Sequence, residues 1–200
     1  MTPLLTQSEL DALAKQESKA PRPDGIGHAY QRERIAMLAE RCCQAMPGDL
    51  IEIGCYLGGT SVILAEIARR HGRKLICVDN FKGGDEFNLD RIEPAFLAAI
   101  EPWRDVVTFL KMDAHSPDAI RMIQERRYCF SFSDDGHDFE VHCNEMETLL
   151  PVTDGLVAVD DTYLSWVTEA IHLTVPKFPG WAILEAKPLG ETWLVKGGVE

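Results

Sequence analysis

The chain of 200 residues contains no apolar run of the roughly 18 residues a membrane-spanning helix needs, so such a helix is not expected. Its six cysteines stand at 42, 43, 55, 77, 129 and 143, and none forms a CxxC pair, so neither a zinc ribbon nor a dithiol redox centre is indicated. Cys55 and Cys77 lie in apolar runs where free thiols behave as small hydrophobes, and reduced cysteines fit a cytoplasmic location. Positive charge is also scarce. Lys and Arg number 20 against 32 Asp and Glu, a net charge of −12, which argues against nucleic acid or an anionic membrane as partner, since both are polyanions. There is no internal repeat and no low-complexity tract. The first residues, Met1 to Glu9, lack both the basic start and the apolar core of a secretory signal.

What remains is an ordinary composition, 46% hydrophobic and 26% charged, in a chain long enough to bury about 70% of its unfolded surface without disulfides. Helical spacing is visible over Thr6–Lys19 and, beyond a Pro/Gly-rich break at Pro21–Gly27, over Tyr30–Ala45. From there strands and helices alternate. Strands are expected at Leu50–Gly54, Lys74–Asp79, Val106–Met112, Tyr128–Ser133 and Leu156–Val159. Helices are expected at Thr60–Arg70, Leu89–Ile100 (with Pro94 near its start), Pro117–Glu125, Asp138–Leu150 and Leu164–Val175. Two last strands, Trp181–Ala186 and Thr192–Val195, are joined by Lys187-Pro188-Leu189-Gly190 as a hairpin. Five β-α units and a hairpin imply an α/β fold: a mostly parallel sheet of seven strands, helices on both faces, and a C-terminal antiparallel hairpin. In such sheets ligands bind beyond the carboxyl ends of the strands, so the residues just after each strand are the ones to read.

After the first strand comes Glu52-Ile53-Gly54-Cys55-Tyr56-Leu57-Gly58-Gly59-Thr60-Ser61. Glycines let a backbone approach a ligand, and the following helix offers free N–H groups to an anion. A tight turn with no ligand is the plainer alternative. After the second strand stands Asp79, about 20 residues beyond the turn, the spacing at which an acid accepts ribose hydroxyls. Together the turn and the acid point to a nucleoside, but the GxGxxG of dinucleotide sites is absent. After the fourth strand comes Ser133-Asp134-Asp135-Gly136-His137-Asp138-Phe139-Glu140, and after the fifth Val159-Asp160-Asp161-Thr162-Tyr163. Carboxylates converging from adjacent strand tips repel one another unless a cation sits among them, and Mg²⁺ takes oxygen ligands of this kind. Two solvated acidic loops are the alternative reading.

The spacing ExGxYxGGT resembles the first motif of class I S-adenosylmethionine-dependent methyltransferases, in particular the catechol O-methyltransferase-like and macrocin O-methyltransferase-like groups. The resemblance covers roughly residues 45 to 170 and extends in element order to the C-terminus. It implies a Rossmann-like three-layer sandwich, with residues 1–47 as a helical lid and 48–200 as the cofactor-binding core. Gly54, Tyr56, Gly58 and Thr60 would then line the methionine part of S-adenosylmethionine, with Glu52 holding the turn or the ammonium. Asp79, with Asn80 beside it, would take the ribose. Asp113, Ala114 and His115 would meet the adenine, and Gly25-Ile26-Gly27 would belong to the lid.

Asp134-Asp135-Gly136-His137-Asp138-Phe139-Glu140 resembles the D-G-x-H-x-Y-E run of the metal-dependent members. By that resemblance Asp134, Asp160 and Asp161 are the metal ligands, Asp134 also borders the cofactor, and His137 is the general base. Asp135 stands where those enzymes usually have Gly, which leaves open whether Asp134 or Asp135 faces the metal. The implied activity is O-methylation of a small hydroxylated metabolite assisted by a divalent metal, Mg²⁺ first, with neither nucleic acid nor membrane as partner. Families of this shape often dimerise, so a homodimer stands beside the monomer as an open arrangement. A metal-independent methyltransferase acting on another acceptor, a nucleotide-binding oxidoreductase and a non-catalytic cofactor-binding module are the competing readings.

Overall fold

The structure, a computed structural model, describes residues 29–82, 91–136, 138–186 and 191–197. The expected helix at Thr6–Lys19, the Gly25–Gly27 lid segment, His137 and the hairpin connection 187–190 lie outside the described residues.

In chain order the elements are α1 (Ala29–Ala45), β1 (Asp49–Ile53), α2 (Gly59–Arg70), β2 (Leu75–Val78), α3 (Ile92–Ile100), β3 (Val107–Leu110), α4 (Pro117–Gln124), β4 (Tyr128–Ser133), α5 (Phe139–Leu149), β5 (Thr153–Val159), α6 (Ser165–Thr174), β6 (Trp181–Ala186) and β7 (Glu191–Lys196). One sheet of seven strands runs in the order β3-β2-β1-β4-β5-β7-β6. The first five strands are parallel, and β7 lies antiparallel to both β5 and β6. The expected fold class is therefore the observed one. The order reverses between β1 and β4, the switch point where open α/β sheets place their ligands.

The central strands read as unbroken apolar runs because both of their faces are covered. Alternate side chains divide between two cores. Leu50, Leu75, Cys77, Phe130 and Leu156 pack with Ile35, Leu38 and Leu64 on the side of α1 and α2. Ile51, Ile53, Ile76, Val157 and Val159 pack with Met146, Leu149 and Ile171 on the side of α5 and α6. The described part of the N-terminal segment is thus one of the covering layers, since Ile35, Leu38, Ala39 and Cys42 of α1 share the core of the sheet. Among the described residues the cysteines are all free, and Cys43 Sγ stands 3.6 Å from Cys129 Sγ, a thiol contact joining α1 to β4.

Local rules place several boundaries. Ser116 caps α4 by accepting the Ala119 N–H, with Pro117 at the first helical position. Asp138 caps α5 by accepting the Val141 N–H, so that helix starts one residue later than its apolar pattern suggests. Pro94 sits in the first turn of α3, where its missing N–H has no helical partner to lose. β5 starts three residues earlier than expected, at Thr153. Its Asp154-Gly155 looks like a turn, but Gly155 lets β5 pass so close to β4 that a Cβ there would stand 2.2 Å from the Cys129 carbonyl oxygen. No helix among the described residues is long and apolar enough to cross a membrane.

Candidate active site

The turn after β1 is pressed against the tip of β4. Gly54 N–H donates to Val78 O at 3.0 Å, and Asp134 N–H donates to Ile53 O at 2.9 Å. Gly54 has φ 81°, and a Cβ on it would lie 2.1 Å from the Asp134 carbonyl oxygen. Tyr56 also takes a positive φ, 47°, and Tyr56 and Leu57 stand out from the turn as exposed apolar residues. Gly58 leads α2 with no side-chain cap, so the first N–H groups of the helix, at Gly59 and Thr60, are left for a ligand. Arg32 of α1 lies across that end of α2: a Cβ on Gly59 would be 2.6 Å from its Nη2. Sequence reasoning missed Arg32, because nothing in the spacing ties a helix residue to a turn some 27 positions on.

Asp79 fastens the turn. One carboxylate oxygen accepts the Cys55 N–H at 2.7 Å and the Tyr56 N–H at 3.0 Å, and the other accepts the Phe81 N–H at 2.6 Å. A carboxylate offers about four acceptor positions, so three of them are occupied by backbone and only one is left for a ribose hydroxyl. Phe81, at φ 53°, is anchored by ring contacts with Phe96 and Phe109, and Asn80 Oδ1 accepts the Lys82 N–H at 2.7 Å. Residues 79–82 after β2 are therefore held by their own backbone and ring contacts.

Glu52 is buried. It is 1% exposed, beneath the turn, with the Cys77 thiol 3.9 Å from its Oε2. Burial, with the nearby Asp79 charge adding to it, raises its carboxyl to about 8. Such a group can brace the turn, one of the two roles expected for it. The sign of its effect on stability follows directly. An unfolded Glu52 ionises near 4.5, while the folded one keeps its proton to about 8, so stability falls as pH rises through that window. Glu52→Gln is expected to leave the melting temperature unchanged near pH 5. Above pH 8 it should raise stability by several kcal/mol at most, at about 1.4 kcal/mol per pH unit of lost linkage. Thermal melts across that range check this.

Beyond β3, the Asp113 carboxylate accepts the His115 N–H at 2.9 Å, and Ala114 is buried. The His115 ring turns to the tip of β4, with Nε2 3.5 Å from Asp135 Oδ2, and that contact raises the imidazole pKa. Asp135 is thus occupied with His115. Asp134 is the carboxylate that meets the β5 tip: burial first, then the charges of Asp160 and Asp161, hold its carboxyl far above the ordinary range. Asp160 N–H donates to Ser133 O at 3.0 Å, which ties the two tips together. Asp161, at φ 54°, donates its N–H to Asp160 Oδ1 at 2.8 Å.

Among the described residues the trios with ligand atoms within 4.8 Å of one another are Glu52–Cys55–Cys77 and His115–Asp135–Glu145. Asp134, Asp160 and Asp161 are not among these trios, though the charges of Asp160 and Asp161 bear on Asp134 between the β4 and β5 tips. Their oxygen donors and mutual repulsion fit a hard divalent cation, which would cancel the repulsion. Likewise the uncapped start of α2, with the Arg32 guanidinium over it, fits the carboxylate of an amino-acid moiety.

Two further residues join from distant segments. The β5–β7 register pairs Val159 with Thr192, which sets Glu191 beside Asp160. Glu191 Oε2 lies 3.3 Å from Arg34 Nη2 and accepts the Trp193 Nε1–H at 3.2 Å. Burial raises its carboxyl to about 7, with Arg34 opposing and Asp160 adding to the rise. Tyr163 and Trp166 are exposed beyond β5, the Tyr163 hydroxyl pKa raised by partial desolvation and by Asp161.

A family model described as "Methyltransferase domain" matches residues 51–162. No curated protein matches this sequence. Among solved structures the chain is similar to the O-methyltransferase TomG from Streptomyces achromogenes in complex with SAM, at 15% identity and TM-score 0.66, covering 94% of this chain and 89% of that one. It is also similar to the O-methyltransferase from Bacillus cereus in complex with SAH, at 15% identity and TM-score 0.63, covering 96% and 92%. Cofactor-bound Rv0187 from MTB aligns at 15% identity and TM-score 0.64 over 95% and 88%. At these identities the likeness is one of fold.

Proposed function

This chain belongs to the methyltransferase-domain family and is a methyltransferase dependent on S-adenosylmethionine, and from that premise we propose that it methylates an oxygen of a small hydroxylated acceptor with the help of a divalent cation. The observation that carries this reading is the meeting of the Gly54 turn with the tips of β4 and β5. There the Asp134 carboxyl is crowded by Asp160 and Asp161. SAM in TomG and SAH in the Bacillus cereus protein, both of this fold, support the cofactor assignment.

The turn at 54–58 and the start of α2 would receive the methionine end of the cofactor, its carboxylate between the free N–H groups of α2 and Arg32. The remaining acceptor position of Asp79 and the Asp113–Ala114 turn border the nucleoside end. Alignment is the main task, because methyl transfer is an in-line displacement and holding two reactants in line supplies much of the rate. Asp134, Asp160 and Asp161 would hold the cation, which when bound favours the deprotonated acceptor oxygen. Tyr163 and Trp166 beyond β5 offer apolar surface to the acceptor. His137 keeps its proposed role as the base that takes the acceptor proton.

Arg32→Ala is expected to raise the Kd for SAH about 10-fold, as the loss of one charge-assisted contact. Saturating turnover should change little, and calorimetric titration with a rate measurement reads both. The reading as a whole is tested by labelled-methyl transfer to a panel of small phenols, sugar alcohols and amines. It predicts transfer to hydroxyls, and transfer confined to amines would overturn it.

A further inference from the structure

We propose that the side of β4 facing α5 carries a second, separate metal site, in which His115, Asp135 and Glu145 bind a zinc-like transition-metal ion. The ligand atoms of these three residues lie within 4.8 Å of one another. They come from three different segments: the loop after β3, the tip of β4, and α5. In a tetrahedral zinc site with bonds of about 2.0–2.1 Å, ligand atoms stand about 3.3 Å apart. His115 Nε2 and Asp135 Oδ2 are already 3.5 Å apart.

A second observation is the state of the buried wall. Glu145 is 1% exposed, and its Oε1 has no hydrogen-bond partner among the described residues. Its Oε2 accepts the Ser133 hydroxyl at 2.5 Å and lies 3.3 Å from His142 Nδ1. His142 is also 1% exposed, and neither ring nitrogen makes a hydrogen bond among the described residues. Leaving buried polar atoms unpaired costs about 1–3 kcal/mol each, so such groups ask for a ligand. An ion held by Glu145 Oε1, His115 and Asp135 would satisfy the orphaned oxygen, with Ser133 and His142 orienting the carboxylate from behind. One imidazole and two carboxylates suit zinc and its neighbours in the first transition row better than Mg²⁺, which prefers an all-oxygen shell. Three protein ligands leave a fourth position open.

This site draws on residues other than Asp134, Asp160 and Asp161, and it does not rest on the methyl-transfer reading. The test uses the full chain stripped of metal and titrated with Co²⁺, whose visible absorption reports a low-coordinate nitrogen–oxygen site, followed by displacement with Zn²⁺. The proposal expects one equivalent with that absorption, displaced by Zn²⁺ and retained in Asp160→Ala. Affinity should fall at least about 10-fold in His115→Ala, Glu145→Gln and His142→Ala, the range for removing a ligand or its supporting partner. His115→Ala is the decisive variant, since that side chain sits on a loop and its loss leaves the core intact. Absence of the absorption, its survival in His115→Ala, or its loss in Asp160→Ala would overturn the proposal.

Discussion

Asp160→Ala is expected to cut methyl transfer about 10³-fold or more while the protein stays folded and still binds SAH. Asp160 sits at the tip of β5, tied to β4 through its own backbone N–H, so removing the carboxylate leaves the sheet contact in place. Its loss also removes one of the charges that, after burial, press on Asp134. The Asp134 carboxyl should then relax toward its ordinary range, and stability at neutral pH should hold or rise. A structural carboxylate would behave the other way, losing stability first and activity as a consequence. Measuring turnover, melting temperature and SAH affinity on the same preparation separates the two. Turnover near that of the parent protein would show that the strand-tip acids do no chemistry.

Gly54→Ala should be more destructive, since it combines two penalties. At φ 81° an L-residue is strained by roughly 1–2 kcal/mol. The new methyl group would also stand 2.1 Å from the Asp134 carbonyl carbon's oxygen, against backbone that is hydrogen-bonded to Ile53 and cannot step aside cheaply. The tip of β4 and the turn must part. A loss of about 3 kcal/mol or more in denaturant unfolding is expected. SAH binding should become undetectable by calorimetry, because the turn and the tip form adjoining walls of the proposed cleft. A variant that bound SAH normally would mean that the turn is not part of the cofactor site.

The fold was readable because its central strands are apolar on both faces and are separated by helices with ordinary caps, such as Ser116-Pro117. The early start of β5 was hidden because Asp154-Gly155 has the composition of a turn and the need for glycine there comes from Cys129 on a neighbouring strand. At the site, Asp134, Asp160 and Asp161 stood out because they fall in the first two positions after a strand. The inward direction of Glu52 was available in principle. It alternates with Ile51 and Ile53 in a strand covered on both sides, so it had to face one of the two cores. Arg32, Arg34 and Glu191 were not legible, since they reach the site from segments far away in sequence and carry no spacing signal. The pairing of Asp135 with His115 also needed coordinates, because His115 arrives from the loop after β3.

The most direct measurement is the initial rate of labelled-methyl transfer to a hydroxylated acceptor in excess EDTA, followed by restoration with Mg²⁺. Three carboxylates sharing one cation beside the Gly54 turn predict a rate that collapses in the chelator and returns with Mg²⁺, with no recovery in Asp160→Ala. A rate that is indifferent to EDTA would contradict that arrangement.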